Sequence, residues 1–227
     1  MKFIKEILDF FLPRICTACG SKLKENEKFI CINCLLSIQK TNKDLLSQEY
    51  KRKFEKENII TDFLSLYIFE KDKALQSLIH DLKYNGNIKA GIYLGELAGE
   101  NFCNEILSWK PDYLIPVPLY HLKKAERGYN QSYYISRGIS RVVKIPVETS
   151  ILKRIRYTQS QTELNLEERK ANVSGAFSSK KNKLIRNKTF LLVDDVITTG
   201  ATISECGKVL IENGASKIYA LSIALAS

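Results

Sequence analysis

The sequence predicts an α/β fold, a parallel sheet flanked by helices, with a small cysteine-bearing module in front. Three observations carry that prediction. From about residue 61 onward, apolar runs alternate with amphipathic segments, the pattern of a parallel sheet with covering helices. Residues 190–225 read as a complete strand–helix–strand unit. Residues 14–36 hold four of the six cysteines of a 227-residue chain, long enough for one sizeable domain and a small extra module.

The segments follow in order. Residues 1–36 make the N-terminal module, opening on an amphipathic helix over 1–12 with Phe3, Ile4, Ile7, Leu8 and Phe11 at helical spacing. Residues 37–60 are polar and charged and read as a helical or loose connector. Within 61–227, residues 63–69 form a strand and 74–82 a helix, closed by the turn Tyr84-Asn85-Gly86-Asn87. One helix covers 91–109, with Leu94, Leu97, Phe102 and Ile106 on one side. A short strand at 113–117 ends at Pro118, and a second amphipathic helix spans 130–143. Residues 146–152 are extended, while 157–170 are polar without a clear period. Strand 190–193, helix 201–213, the helix stop Gly214 and strand 217–225 complete the chain.

With 44% hydrophobic and 26% charged residues, the composition is ordinary for a folded protein, and disorder is not the default reading. No run approaches the roughly 20 apolar residues of a membrane span, and Glu6 and Asp9 interrupt the first apolar stretch, so a cytoplasmic protein is expected. The formal charge of +10 is concentrated. Residues 121–188 carry sixteen Lys and Arg against five Glu, a net of +11 that leaves −1 for the remainder. Such a region suits a phosphate-rich partner, nucleic acid or polyphosphate, and equally a solvated basic surface. Lys123, Lys124, Arg127, Lys180, Lys181 and Lys183 are the candidate contacts to nucleic acid.

Cys16-x-x-Cys19 and Cys31-x-x-Cys34, eleven residues apart, have the spacing of two knuckles presenting four thiolates to one structural zinc. Gly20 fits the sharp turn beside the first pair. Disulfides are disfavoured in a cytosolic protein, and a redox Cys-x-x-Cys needs no second copy. Four protein ligands leave the metal no open position, so its work is to fold a segment too short to bury its own core. Cys103 and Cys206 are expected as small core residues, and His80 and His121 show no metal spacing.

Residues 190–202, FLLVDDVITTGAT, are more specific. A buried strand delivers two adjacent carboxylates to its C-terminal edge, and a Thr/Gly-rich loop opens a helix. Ligands of open α/β sheets collect at that edge, and a helix N-terminus with free N–H groups is suited to phosphate. The run resembles the signature by which type I phosphoribosyltransferases bind phosphoribosyl pyrophosphate (PRPP). The resemblance implies a type I phosphoribosyltransferase-like fold, with Asp194 and Asp195 on the ribose 2′- and 3′-hydroxyls. It puts Thr198, Thr199, Gly200, Ala201 and Thr202 around the 5′-phosphate.

A second resemblance narrows the family. Ile115-Pro116-Val117-Pro118-Leu119, then Arg127-Gly128-Tyr129-Asn130-Gln131-Ser132, then Arg156 with Gln161, Leu164, Arg169, Asn172 and Val173 are similar in order to the competence protein F (ComF) family. Many of its members carry a cysteine module in front. By the phosphoribosyltransferase analogy, Val117, Pro118 and Leu119 face pyrophosphate, and 154–170 is a closing loop with Arg154, Arg156 and Arg169 as catalytic candidates. Solvated loop charge is the other reading of those arginines. Asn130 also reads as a helix cap.

The resemblance implies displacement of pyrophosphate from ribose C1, with Mg²⁺ accompanying PRPP and the protein supplying positioning and charge. No acceptor pocket is legible, and any wall for one is expected from residues before about 111. Two functional classes follow. One is a PRPP-binding protein of DNA uptake in natural transformation, contacting single-stranded DNA beside a helicase-like partner. The other is a metabolic enzyme passing phosphoribose to a nucleobase or amine.

Overall fold

The structure is a computed structural model and describes residues 13–70, 73–157, 172–179 and 182–226. The expected helix over 1–12, most of the polar stretch 157–170, and Arg169, Lys180 and Lys181 lie outside the described residues.

A four-stranded parallel sheet forms the centre. In chain order its strands are β1 (Asp62–Ile68), β2 (Tyr113–Pro116), β5 (Thr189–Ile197) and β6 (Lys217–Leu225), arranged β1-β6-β5-β2. The strands are almost continuously buried, which is why they read as unbroken apolar runs. A bridge between Leu114 and Val147 extends the sheet beyond β2 where the sequence reads as extended. Two residues each of β3 (Lys153–Arg154) and β4 (Phe177–Ser178) pair antiparallel.

Both faces of the sheet are covered. One carries α3 (Ala74–Tyr84), α4 (Ile88–Asn101), α5 (Cys103–Trp109) and α7 (Gln131–Val143) over Leu64, Leu66, Leu114, Leu191, Val193 and Leu221. The other carries α9 (Ala201–Glu212) and the chain before β1 over Phe63, Ile115, Phe190, Leu192 and Ala220. Helices α4 and α7 cross in backbone contact. A Cβ at Gly95 would fall on the Ile135 carbonyl, and one at Gly138 on the Ile92 carbonyl. Only hydrogen fits at either position.

The small helices complete the order: α1 (Ile32–Ser37) in the cysteine module, α2 (Lys43–Tyr50) running into a π-turn at Lys51–Glu55, α6 (His121–Arg127), and α8 (Asn182–Ile185). Asn42 caps α2 by accepting from the Leu45 N–H, so the 37–60 stretch is helical rather than loose.

Two boundaries differ from the sequence expectation. The helix expected over 91–109 starts at Ile88, capped by Asn87, and breaks at Phe102. Phe102 leaves the helical region, and the change of direction buries both Phe102 and Ile106 against α7 and the sheet. The strand expected over 190–193 continues to Ile197, because β6 pairs with it through Asp194↔Ser222 and Ile197↔Leu225. The two acids therefore belong to a paired strand, not to the loop beyond it.

Candidate functional site

The site lies at the carboxyl ends of β5 and β6. A cavity of ≈ 320 Å³ is lined by Asp194, Asp195, Val196, Ile197, Thr198, Thr199, Gly200, Ala201, Thr202 and Ile203, and also by Phe69, Lys83 and Ala226. The loop after β5 turns at Gly200, whose φ of +82° is left-handed and whose missing Cβ makes room for the Phe54 ring. Gly200 is the N-cap of the twelve-residue helix α9 and offers no side-chain acceptor, and the first-turn Ala201 N–H has only a long 3.4 Å bond to Thr199 Oγ1. That is the anion-binding arrangement of a helix N-terminus.

The two carboxylates differ. Asp194 accepts from the Ser132 hydroxyl at 2.9 Å. Burial and the neighbouring Asp195 charge push its carboxyl up to about 8. Burial would raise Asp195 as well, but the Lys83 ammonium 2.8 Å from its Oδ2 holds it below the usual carboxylate range. Burial would lower Lys83, but the charge and hydrogen bond of Asp195, with the charge of Asp194, hold it above its ordinary value. Near neutral pH the pair of acids carries closer to one negative charge than two.

A buried cation supports the loop from below. The Lys53 ammonium donates to the Thr198 carbonyl and, at 3.3 Å, to the Ala226 carbonyl, and pairs with Glu49 at 2.9 Å. Phe54, 1% exposed, packs edge-on to Phe63 at 5.2 Å and under Gly200. Residues of the polar connector thus form the floor of the loop after β5. Neither the connector's composition nor any motif marks Lys53. Lys83 likewise escapes a sequence reading, since it sits at the end of an ordinary amphipathic helix.

The β2–α6 loop approaches from the other side. Asn130 caps α7 by accepting from the Ser132 N–H, and its amide donates to the Val117 carbonyl at 2.9 Å, while the Val117 N–H donates to Val193. These bonds set Val117, Pro118 and Leu119 beside the end of β5. Arg127 stacks over Tyr84 at 5.3 Å and Lys123 over Tyr157 at 5.7 Å, with Tyr120 and Tyr157 edge to face. Burial and then the charges of Arg154, Arg127 and Lys83 pull Lys123 down, so these four cations share one neighbourhood. Arg154 lies over the Phe177 ring at 5.2 Å. Arg156 instead donates to the Asn172 and Ser174 carbonyls, at 3.1 and 2.5 Å, and ties the chain after β3 to the chain before β4.

The candidate nucleic-acid residues do not form one patch. Lys123, Lys124 and Arg127 lie on α6 near the cavity mouth. Exposed Lys183 lies on α8, just ahead of the opposite end of β5, about 30 Å away by the rise of a nine-residue strand.

In the N-terminal module, Cys16, Cys19, Cys31 and Cys34 bring their sulfurs within 4.8 Å of one another, with Cys19 and Cys31 at 3.8 Å. Thiolates at about 2.3 Å from a tetrahedral zinc stand roughly 3.8 Å apart, so the cluster fits that metal. All four are free thiols. The Gly20 turn, φ +72°, closes the first knuckle through Gly20 N–H to the Cys16 carbonyl. The module is docked: Cys16, Leu23 and Ile30 are buried in the same cluster as Leu78 and Leu94, and Phe29 packs on Tyr93.

A phosphoribosyl transferase domain family matches residues 130–226. Competence protein F of Haemophilus influenzae is 41% identical over 118 residues, 51% of this chain and 51% of that protein. The DNA utilization protein YhgH of Escherichia coli is 30% identical over 151 residues, 63% of this chain and 64% of that one. Competence protein ComFC of Bacillus subtilis is 23% identical over 88% of this chain and 79% of its own. The match thus spans about half to two thirds of the first two relatives. Among solved structures, a B. subtilis glutamine PRPP amidotransferase complexed with ADP and GMP covers 63% of this chain and 30% of that one, at 18% identity and a TM-score of 0.43, a likeness too weak to argue from. The domain match, the relatives and the four-cysteine cluster agree: residues 130–226 match a phosphoribosyl transferase domain behind a cysteine module, in a chain similar to competence protein F and its relatives.

Proposed function

We propose that this chain binds PRPP with Mg²⁺ at the β5–α9 loop and acts in natural transformation, in the handling of incoming single-stranded DNA. The carrying observation is the Asp194–Asp195 pair beside a helix N-terminus whose N-cap glycine has no side chain to cap it, with both groups lining one cavity. Vicinal ribose hydroxyls donate to the carboxylates. The 5′-phosphate takes N–H groups from Gly200 to Thr202 and hydroxyls from Thr198, Thr199 and Thr202. Val117, Pro118 and Leu119 then border the diphosphate, with the Arg154 guanidinium, close enough to Asp194 to feel its charge, on the β3 side. Mg²⁺, carried in with PRPP, neutralises diphosphate charge, and two carboxylates beside a threonine loop suit such a hard cation.

The relatives' names, competence protein and DNA utilization protein, support the role in DNA handling. So do the cations and aromatic rings together at the mouth, Lys123, Arg127, Tyr84, Tyr120 and Tyr157, since stacking faces beside positive charge suit single strands. A helicase-like protein is the expected partner, and the site of action is the cytoplasm. Among the described residues, no helix is long and apolar enough to cross a membrane.

Titration of the native chain with PRPP and Mg²⁺ should reveal one site per chain, and an absence of binding contradicts the ligand assignment. Anisotropy of a labelled single strand tests the second part. Affinity should fall steeply with salt and weaken in Lys123→Ala plus Arg127→Ala. Affinity that is absent at low salt would remove DNA from the account.

A further inference from the structure

We propose that Lys83 determines the specificity of this site for a diphosphate-bearing sugar: its ammonium leaves Asp195 when ribose hydroxyls take that carboxylate, and pairs with the diphosphate instead. The inference rests on the PRPP reading of the site and adds a residue outside the family's signature run.

The Lys83–Asp195 pair is short, at 2.8 Å, and largely withdrawn from water, with side chains 24% and 7% exposed. Any sugar whose hydroxyls donate to Asp195 competes with this ammonium. Displaced inside the cavity, the ammonium keeps only Asp194, whose buried carboxyl resists ionisation, as an acidic neighbour, while Arg127 lies close enough to oppose its charge and Lys123 and Arg154 share the field. A poorly hydrated cation that has lost its ion pair is costly. A ligand that brings two phosphates to this corner removes the cost, since the displaced cation gains a new anion. Ribose 5-phosphate offers the same hydroxyls and 5′-phosphate but nothing for Lys83 to join.

The reach of Lys83 is fixed from both flanks. The Tyr129 hydroxyl donates to the Leu82 carbonyl, and Arg127 stacks on Tyr84. Both partners come from the end of α6 and the turn after it, so the last turn of α3 is held over the cavity rather than left to fray. The Arg127-Gly128-Tyr129 run thus acts through Lys83 as a support.

The test compares PRPP with ribose 5-phosphate, each with Mg²⁺, by calorimetry on the native chain, Lys83→Met and Lys83→Gln. The glutamine amide can still donate to Asp195, which keeps one variant folded if the methionine variant melts early. The preference for PRPP should shrink about ten- to a hundredfold in both variants, the size of one hydrogen bond to a charged group. Affinity for ribose 5-phosphate should hold or rise, because its competitor is gone. An unchanged preference, or a fall in both affinities in step, overturns the role of Lys83. A native chain that binds PRPP no better than ribose 5-phosphate overturns it as well, while one that binds neither contradicts the PRPP reading itself.

Discussion

Asp194 keeps a carboxyl where burial and the charge of Asp195 oppose its ionisation. Its value of about 8 lies above the ordinary 3.8, so between those limits the folded chain holds a proton that the unfolded chain releases. Stability therefore declines as pH rises through this window, and the full cost is present above pH 8. Asp194→Asn keeps an acceptor for the Ser132 hydroxyl and removes the charge. It should raise the melting temperature of the ligand-free protein most at pH 8 and above, by roughly 2–4 °C for each kcal/mol recovered, with the gain fading toward pH 5. A gain that does not depend on pH would contradict the assigned titration. The strain is expected of a site built to receive hydroxyl donors and a divalent cation. The acids themselves were legible in the sequence, as a doublet between a strand and a threonine loop. Their inequality was not, because it depends on Lys83 and Ser132, which reach them from other elements.

At the scale of elements, two contacts decide whether the site is assembled. The α4–α7 crossing closes one face of the sheet and leaves no space at Gly95 or Gly138. Gly138→Ala should destabilise by about 1–3 kcal/mol or more, measured by denaturant unfolding, since the Cβ must push two backbones apart. A neutral result would mean that the helices cross less closely. The connector before β1 is the second contact. Lys53→Met leaves the Thr198 carbonyl without this donor, and PRPP affinity should fall about tenfold with a smaller effect on melting. Equal affinity in a folded variant would show that the loop holds itself. Most elements were legible from periodicity and turn residues, such as the helix ending at Gly214 and the strand after it. The break at Phe102 was not, because Ile106 and its neighbours continue an apolar stripe across it. The importance of Lys53 and Phe54 was hidden for a related reason, as a polar helix reveals nothing about what its few inward side chains touch.

For the whole molecule, the cysteine module shares a core with the sheet domain through Cys16, Leu23, Ile30 and Leu78. Purified protein should contain about one zinc per chain, and chelation should lower the melting temperature of the full chain rather than release a separate folding unit. A value near zero zinc would remove the metal from the account. The spacing of the four cysteines was enough to foresee the cluster. Where the module docks was not legible, because the Phe29–Tyr93 contact joins residues with no shared motif. The central claim remains the ligand at the carboxyl ends of β5 and β6. Calorimetric titration with PRPP and Mg²⁺, comparing the native chain with Asp194→Ala plus Asp195→Ala, tests it most directly. The account predicts one site in the native chain and none in a double variant that melts no lower than native; undiminished binding by the folded double variant would place PRPP elsewhere and contradict it.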